Sequence, residues 1–116
     1  MKLRIKSNTI RLRLSKDEVQ TLVSESIVTD RCALLGNNLD YGLKAGDGSG
    51  MTAAFEGHVI VINIPSEWIK DWHLNDKVGF EAEMDNGCYI LVEKDFQCLV
   101  PRAEEAEDDL YPNPQG

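Results

Sequence analysis

Apolar and polar residues alternate with a period of two from Lys2 to Lys6, where Leu3 and Ile5 stand between cations. They alternate again from Ile10 to Leu14, where Arg11 and Arg13 separate Ile10, Leu12 and Leu14. A strand sends successive side chains to opposite faces, so both segments read as half-buried strands. Ser7-Asn8-Thr9 between them is turn chemistry and predicts an antiparallel hairpin. Ser15 and Glu18 have the spacing of a capping box, and Val19, Leu22 and Val23 give the short helix that follows its apolar stripe. Arg31 to Leu35 and Leu39 to Leu43 flank Gly36-Asn37-Asn38, which predicts a second hairpin.

The same order then recurs. Met51 to Phe55, a turn at Gly57 and the run Val59 to Ile64 predict two strands. Pro65-Ser66-Glu67 opens a helix with Pro in the first turn and Ser as the cap, carrying Trp68, Ile69 and Trp72. Trp68 and Trp72, one helical turn apart, are expected in the core. Val78 to Met84 and Cys88 to Asp95 flank Asp85-Asn86-Gly87, and Asn86-Gly87 predicts a type I′ hairpin turn. With a shift of fifty residues, eight of the nine apolar positions in residues 1–23 fall on apolar positions, against about five by chance. The expected fold is therefore strand-rich α+β with mostly antiparallel sheet, built as two ββαββ halves, 1–50 and 51–100. The halves would be related by an approximate twofold axis, each covering the apolar face that the other leaves.

Charge separates the ends of the chain. The net charge is −8, yet residues 1–50 carry +2, residues 51–100 carry −6 and residues 101–116 carry −4. The first 100 residues read as one globular domain. The segment 101–116, with Glu104, Glu105, Glu107, Asp108 and Asp109, reads as an acidic and largely disordered tail. No apolar run approaches the length needed to cross a bilayer. The cysteines Cys32, Cys88 and Cys98 are odd in number and widely spaced, so buried reduced thiols in a cytoplasmic protein are expected, with no zinc site.

The opening Lys2-Leu3-Arg4-Ile5-Lys6 with Ile10-Arg11-Leu12-Arg13-Leu14 is one signature. The close, Glu93-Lys94-Asp95-Phe96 with Cys98-Leu99, Pro101-Arg102, Glu107-Asp108-Asp109 and Pro112-Asn113-Pro114, is another. Together they resemble a family of short bacterial proteins to which no activity is attached, which implies a bacterial origin and supplies no function. Separately, Ile62-Asn63-Ile64-Pro65, a short helix, Leu74 to Glu83, a turn and Ile90-Leu91-Val92 resemble the AbrB/MazE-like swapped-hairpin domain. That resemblance implies a dimeric DNA-binding fold, here condensed into one chain. The sequence departs from it in charge: the positions matching Lys2, Arg4, Arg11 and Arg13 are Thr52, Ala54, Val61 and Asn63.

Most of Lys2, Arg4, Lys6, Arg11 and Arg13 would share one face of the first hairpin, where they suit phosphates or carboxylates. The competing reading is a ladder against Glu81, Glu83, Glu93 or Asp95 on neighbouring strands. Glu93, Lys94, Asp95, Phe96, Cys98 and Arg102 are signature residues without an assigned role. Lys94 lies four residues before Cys98 and would lower its thiol pKa, the basis of an enzyme reading in which no base is positioned. His58 reads as a turn residue and His73 as a helix-end residue that complements the dipole. The function expected from these residues is a non-enzymatic binding or adaptor module with a protein partner. Anion or nucleic-acid binding through the basic hairpin is the alternative, disfavoured by the charge of −8. No cofactor, metal or membrane partner is expected.

Overall fold

In a computed structural model, residues 1–96 are described. They form β1 (Lys2–Lys6), β2 (Thr9–Leu14), α1 (Lys16–Glu25), β3 (Ile27–Ala33), β4 (Asn38–Gly46), β5 (Thr52–Glu56), β6 (Val59–Pro65), α2 (Ser66–Ile69), β7 (Gly79–Glu83) and β8 (Tyr89–Lys94). The expectations for Cys98, Arg102 and the acidic segment lie outside these residues.

The strands make two four-stranded mixed sheets, ordered β1-β2-β8-β7 and β3-β4-β6-β5. Consecutive strands pair antiparallel as hairpins, while β2 with β8 and β4 with β6 pair in parallel. Each sheet therefore takes one hairpin from each half of the chain. Advancing the first four labels by four and lowering the last four by four turns β1-β2-β8-β7 into β5-β6-β4-β3, the second sheet read backwards. The registers of the tight hairpins follow the same exchange, Lys2 opposite Arg13 corresponding to Thr52 opposite Asn63, while the parallel pairs differ by one residue, with Ile10 beside Ile90 but Ile60 beside Tyr41 rather than Asp40.

One core lies between the sheets. Leu12, Leu14, Ile90 and Val92 from the first sheet meet Leu43, Ile62 and Ile64 from the second. Burying a Leu or Ile fully contributes about 1.5–3 kcal/mol, so this inner layer is the main stabilising feature. The helices close one end. α1 begins with the complete capping box, in which Glu18 N–H donates to Ser15 Oγ (3.3 Å) and Ser15 N–H to Glu18 Oε1 (2.9 Å). Val19 and Leu22 enter the core from α1, Ile69 from α2 and Trp72 from the turn after it. Trp72 is 0 % exposed, its indole N–H donates to the Lys77 carbonyl at 2.8 Å, and its ring meets Phe80 edge-on at 5.0 Å.

Several expectations are corrected. Asn86 does not have a positive φ; only Gly87 does, at 89°. Gly87 N–H donates to Met84 C=O (2.9 Å) and Met84 N–H to Cys88 C=O (2.8 Å), so Asp85 joins a three-residue loop closed by a left-handed glycine. The second hairpin pairs Ala33 with Asn38, which leaves Leu34 and Leu35 in its loop rather than in a strand. Pro65 is the N-cap of α2 and Ser66 its first residue, with no side-chain cap. Because α2 ends at Ile69, His73 lies beyond it, and Trp68 does not join Trp72 in the core. Trp68 instead stacks on Phe80 at the sheet edge, 5.8 Å between centroids, and stays 36 % exposed. Cys32, on β3, is exposed, and Cys88, just before β8, is half-buried against the core.

Candidate functional site

The two parallel pairings decide which ends of the strands coincide. β2 and β8 start side by side, as do β4 and β6, so the turns preceding them gather at the end away from the helices. Asp40 N–H donates to His58 C=O (2.9 Å) and Tyr89 N–H to Asn8 C=O (2.9 Å), tying neighbouring turns together. The tight turns share a conformation: Ser7 has φ 50° and Gly57 has φ 62° at the same place in their hairpins. In such two-residue turns a positive φ at the first central position matches the twist of the strands.

No helix closes this end. Ile5 and Phe55 stand at corresponding positions, next to the turns and opposite Ile10 and Ile60, on the inward faces of their strands. They are nevertheless 57 % and 68 % exposed. With Ile10, Ala53, Ile60 and Cys88 they line a mouth of about 430 Å³ between the sheets, with Thr9 at its side. Leu34 and Leu35, exposed in the loop that precedes β4, extend the apolar character of this end.

The five predicted cations share the outer face of the first sheet. Lys2 faces Arg13, Arg4 faces Arg11 and Lys6 faces Thr9, with β8 alongside. Part of the competing ladder is present. Arg11 Nε donates to Glu93 Oε1 at 2.6 Å, Arg13 lies 3.8 Å from the same oxygen, and Lys2 pairs with Asp95 at 2.8 Å. Glu81 lies on β7, one strand too far, and accepts from the Tyr89 hydroxyl, a bond that raises the Tyr89 pKa. Arg4 has no ion-pair partner among the described residues. Arg4, Lys6 and Arg11 converge with Thr9 and Leu91 on a hollow of about 230 Å³.

Lys94 and Asp95, two further signature residues, make contacts within the fold. Lys94 Nζ donates to the Asn75 carbonyl (2.6 Å) and lies 5.7 Å over the Trp72 ring, while Asp95 N–H donates to Leu14 C=O (2.8 Å). Phe96 is exposed. His58 belongs to a self-contained chain, with Nε2 3.3 Å from Asp40, whose other partner is Arg31 Nε at 2.7 Å. The Arg31 hydrogen bond leads the causes that hold the Asp40 carboxyl below its ordinary range. A hollow of about 630 Å³ beside β7 contains Trp68, Phe80, Lys77, Glu81 and Glu93, but its charged groups already have partners in Phe80, Tyr89 and Arg11. Among the described residues no three metal-ligating side chains cluster, and no helix is long and apolar enough to cross a membrane.

Alternation places Ile5 and Phe55 on the inward faces without showing that the end is open. The available signal was the recurrence of a large apolar residue two positions before each tight turn. No curated protein and no solved structure matches this chain. The chain does match a family of unknown function, DUF7009, across residues 1–115, and it belongs to that family.

Proposed function

We propose that this protein is a cytoplasmic, non-catalytic module that binds a protein partner at its open end, taking a large apolar side chain into the mouth between the sheets. The observation that carries this reading is the exposure of Ile5 and Phe55 at inward-facing positions. Water at such positions forfeits burial worth about 25 cal/mol per Å², so an occupant that displaces it gains that contribution. Barrel and sandwich mouths of this kind are common ligand sites. Leu34 and Leu35 beyond the mouth favour a macromolecular partner, because they add apolar surface that a small molecule in the mouth would not cover. The free thiols Cys32 and Cys88 suit a reducing compartment.

The same reading treats the chain as a duplicated ββαββ unit with an approximate twofold axis through the mouth. Its support is the exchange of strand order between the sheets and the shared register of the tight hairpins, together with the matched burial of Leu12 with Ile62, Leu14 with Ile64 and Leu22 with Trp72.

Site-specific photocrosslinking tests the binding reading. A photoreactive phenylalanine analogue at position 55 should give a discrete protein adduct in the native cytosol, and Ile5→Asp in the same chain should abolish it. An adduct no stronger than from an analogue at Thr52, on the outward face of β5, refutes the reading.

A further inference from the structure

The two tight hairpins act as each other's control. β1–β2 and β5–β6 have the same register and the same turn conformation, and their inward residues serve the same core. Their outward residues have nothing in common. Arg4 corresponds to Ala54, Lys6 to Glu56, Thr9 to Val59 and Arg11 to Val61. The architecture therefore does not need cations at these positions, since the second hairpin folds without them.

Keeping them is electrostatically unfavourable. Arg4 and Arg11 are direct cross-strand partners, and like charges placed opposite one another are destabilising. Glu93 is occupied with Arg11 and Arg13, and nothing described pairs with Arg4. The hollow that Arg4, Lys6 and Arg11 line shares Thr9 with the apolar mouth, so the cationic and apolar surfaces are contiguous across one residue.

From this contiguity we infer that the partner segment is an acidic peptide, which lays a carboxylate on Arg4 at the cationic hollow while its apolar side chain enters the mouth between Ile5 and Phe55. The inference rests on the binding reading above and adds the chemistry of the partner. A net charge of −8 does not oppose it, because exposed charges farther than about 8 Å are screened at physiological salt and the local face decides. Arginine supplies the planar, two-pronged donor set that matches a carboxylate. Nucleic acid offers anions too, but its affinity comes from neutralising many phosphates, and this small cluster stands beside an apolar opening.

The test is fluorescence anisotropy on the full chain with a labelled peptide of four glutamates followed by leucine and phenylalanine. The same peptide with glutamines and a single-stranded oligonucleotide of equal charge are the other probes. The glutamate peptide should bind, and the glutamine peptide should bind roughly tenfold more weakly. Arg4→Ala should weaken binding roughly fivefold to tenfold, as expected for one charge-assisted contact. Lys44→Ala, the same charge change on the other sheet, should leave it unaltered. Arg4 is exposed, so its removal does not threaten the fold. If Phe55→Asp abolishes binding and Arg4→Ala does not change it, the acidic-peptide inference fails while the binding reading stands. If neither substitution matters, both fail. An oligonucleotide that binds more tightly than the glutamate peptide, with the same dependence on Arg4, overturns the inference in favour of nucleic acid.

Discussion

Phe55→Ala and Ile62→Ala, two truncations on neighbouring strands of one sheet, should differ sharply in cost. Ile62 is fully buried beneath the helices, and removing such a side chain costs about 2–5 kcal/mol in lost transfer energy and cavity. Phe55 is 68 % exposed, so only about a third of its side chain is removed from water. A buried phenylalanine covers about 150–250 Å², which leaves roughly 65 Å² here and an upper bound of about 1.6 kcal/mol at 25 cal/mol per Å². Alanine retains part of that contact, so Phe55→Ala should lose about 1 kcal/mol. Urea unfolding followed by tryptophan fluorescence, with Trp72 in the core as reporter, measures both variants. The expected result is a small midpoint shift for Phe55→Ala with an unchanged slope, and a shift at least twice as large for Ile62→Ala. Equal losses would mean that Phe55 is a core residue and that the mouth is closed in solution, removing the basis of the binding reading.

Ser7→Gly should stabilise the fold by about 0.5–1 kcal/mol, because glycine relieves the left-handed cost at φ 50° and gives back part of it as chain entropy. Gly57→Ser, where no neighbour obstructs a side chain, should lose a similar amount, and thermal unfolding reads both. Burial pushes the Glu18 pKa up, yet the bonds from the terminal amine (2.7 Å) and Ser15 outweigh it and hold it below its ordinary 4.5. The stability that Glu18 adds over Glu18→Gln is therefore full above pH 4.5 and fades as pH falls through the lowered value. Burial likewise opposes the charge on the terminal amine, but Glu18 and Asp30 raise its pKa above 8.0. Its contribution is full below pH 8.0 and is lost as pH rises through that raised value; denaturant titrations across pH should show both edges. Ending the chain after Arg102 removes five carboxylates between residues 104 and 109 that carry the chemistry inferred for the partner. Binding of the glutamate peptide should rise at low salt and less so at moderate salt; no change at low salt would show that this segment does not compete.

Local features were legible where a short-range force sets them. Ser15 and Glu18 announce their cap because both hydrogen bonds close within three residues, and Leu12 or Ile62 announces its face because the strand period is fixed at two. The strand exchange between halves was less accessible. Alternation assigns a face to Arg11 and to Leu91 but does not say that they are neighbours, since a parallel pairing leaves no turn to mark it. Asn86-Gly87 misled because a two-residue signal was read without Asp85, which the backbone draws into the loop. The basic stripe was visible from residue types alone. What spacing could not supply was its division, with Arg11 and Arg13 turned to Glu93, Lys2 to Asp95, and Arg4 left at the hollow next to Thr9.

The sheets also mature at different moments on the ribosome. The second sheet draws all four strands from residues 27–65 and can close once that stretch has emerged. The first must hold β2, which ends at Leu14, in waiting for β8, which ends at Lys94; at about 5–20 residues per second that interval is about 4–16 s. Throughout it β2 is an unpaired edge carrying Ile10, Leu12 and Leu14, the kind of segment on which nascent chains aggregate. Arg11 and Arg13, set between those apolar residues, repel a second copy of the same edge until Glu93 arrives to neutralise them, so the acid that completes the sheet also retires its guard.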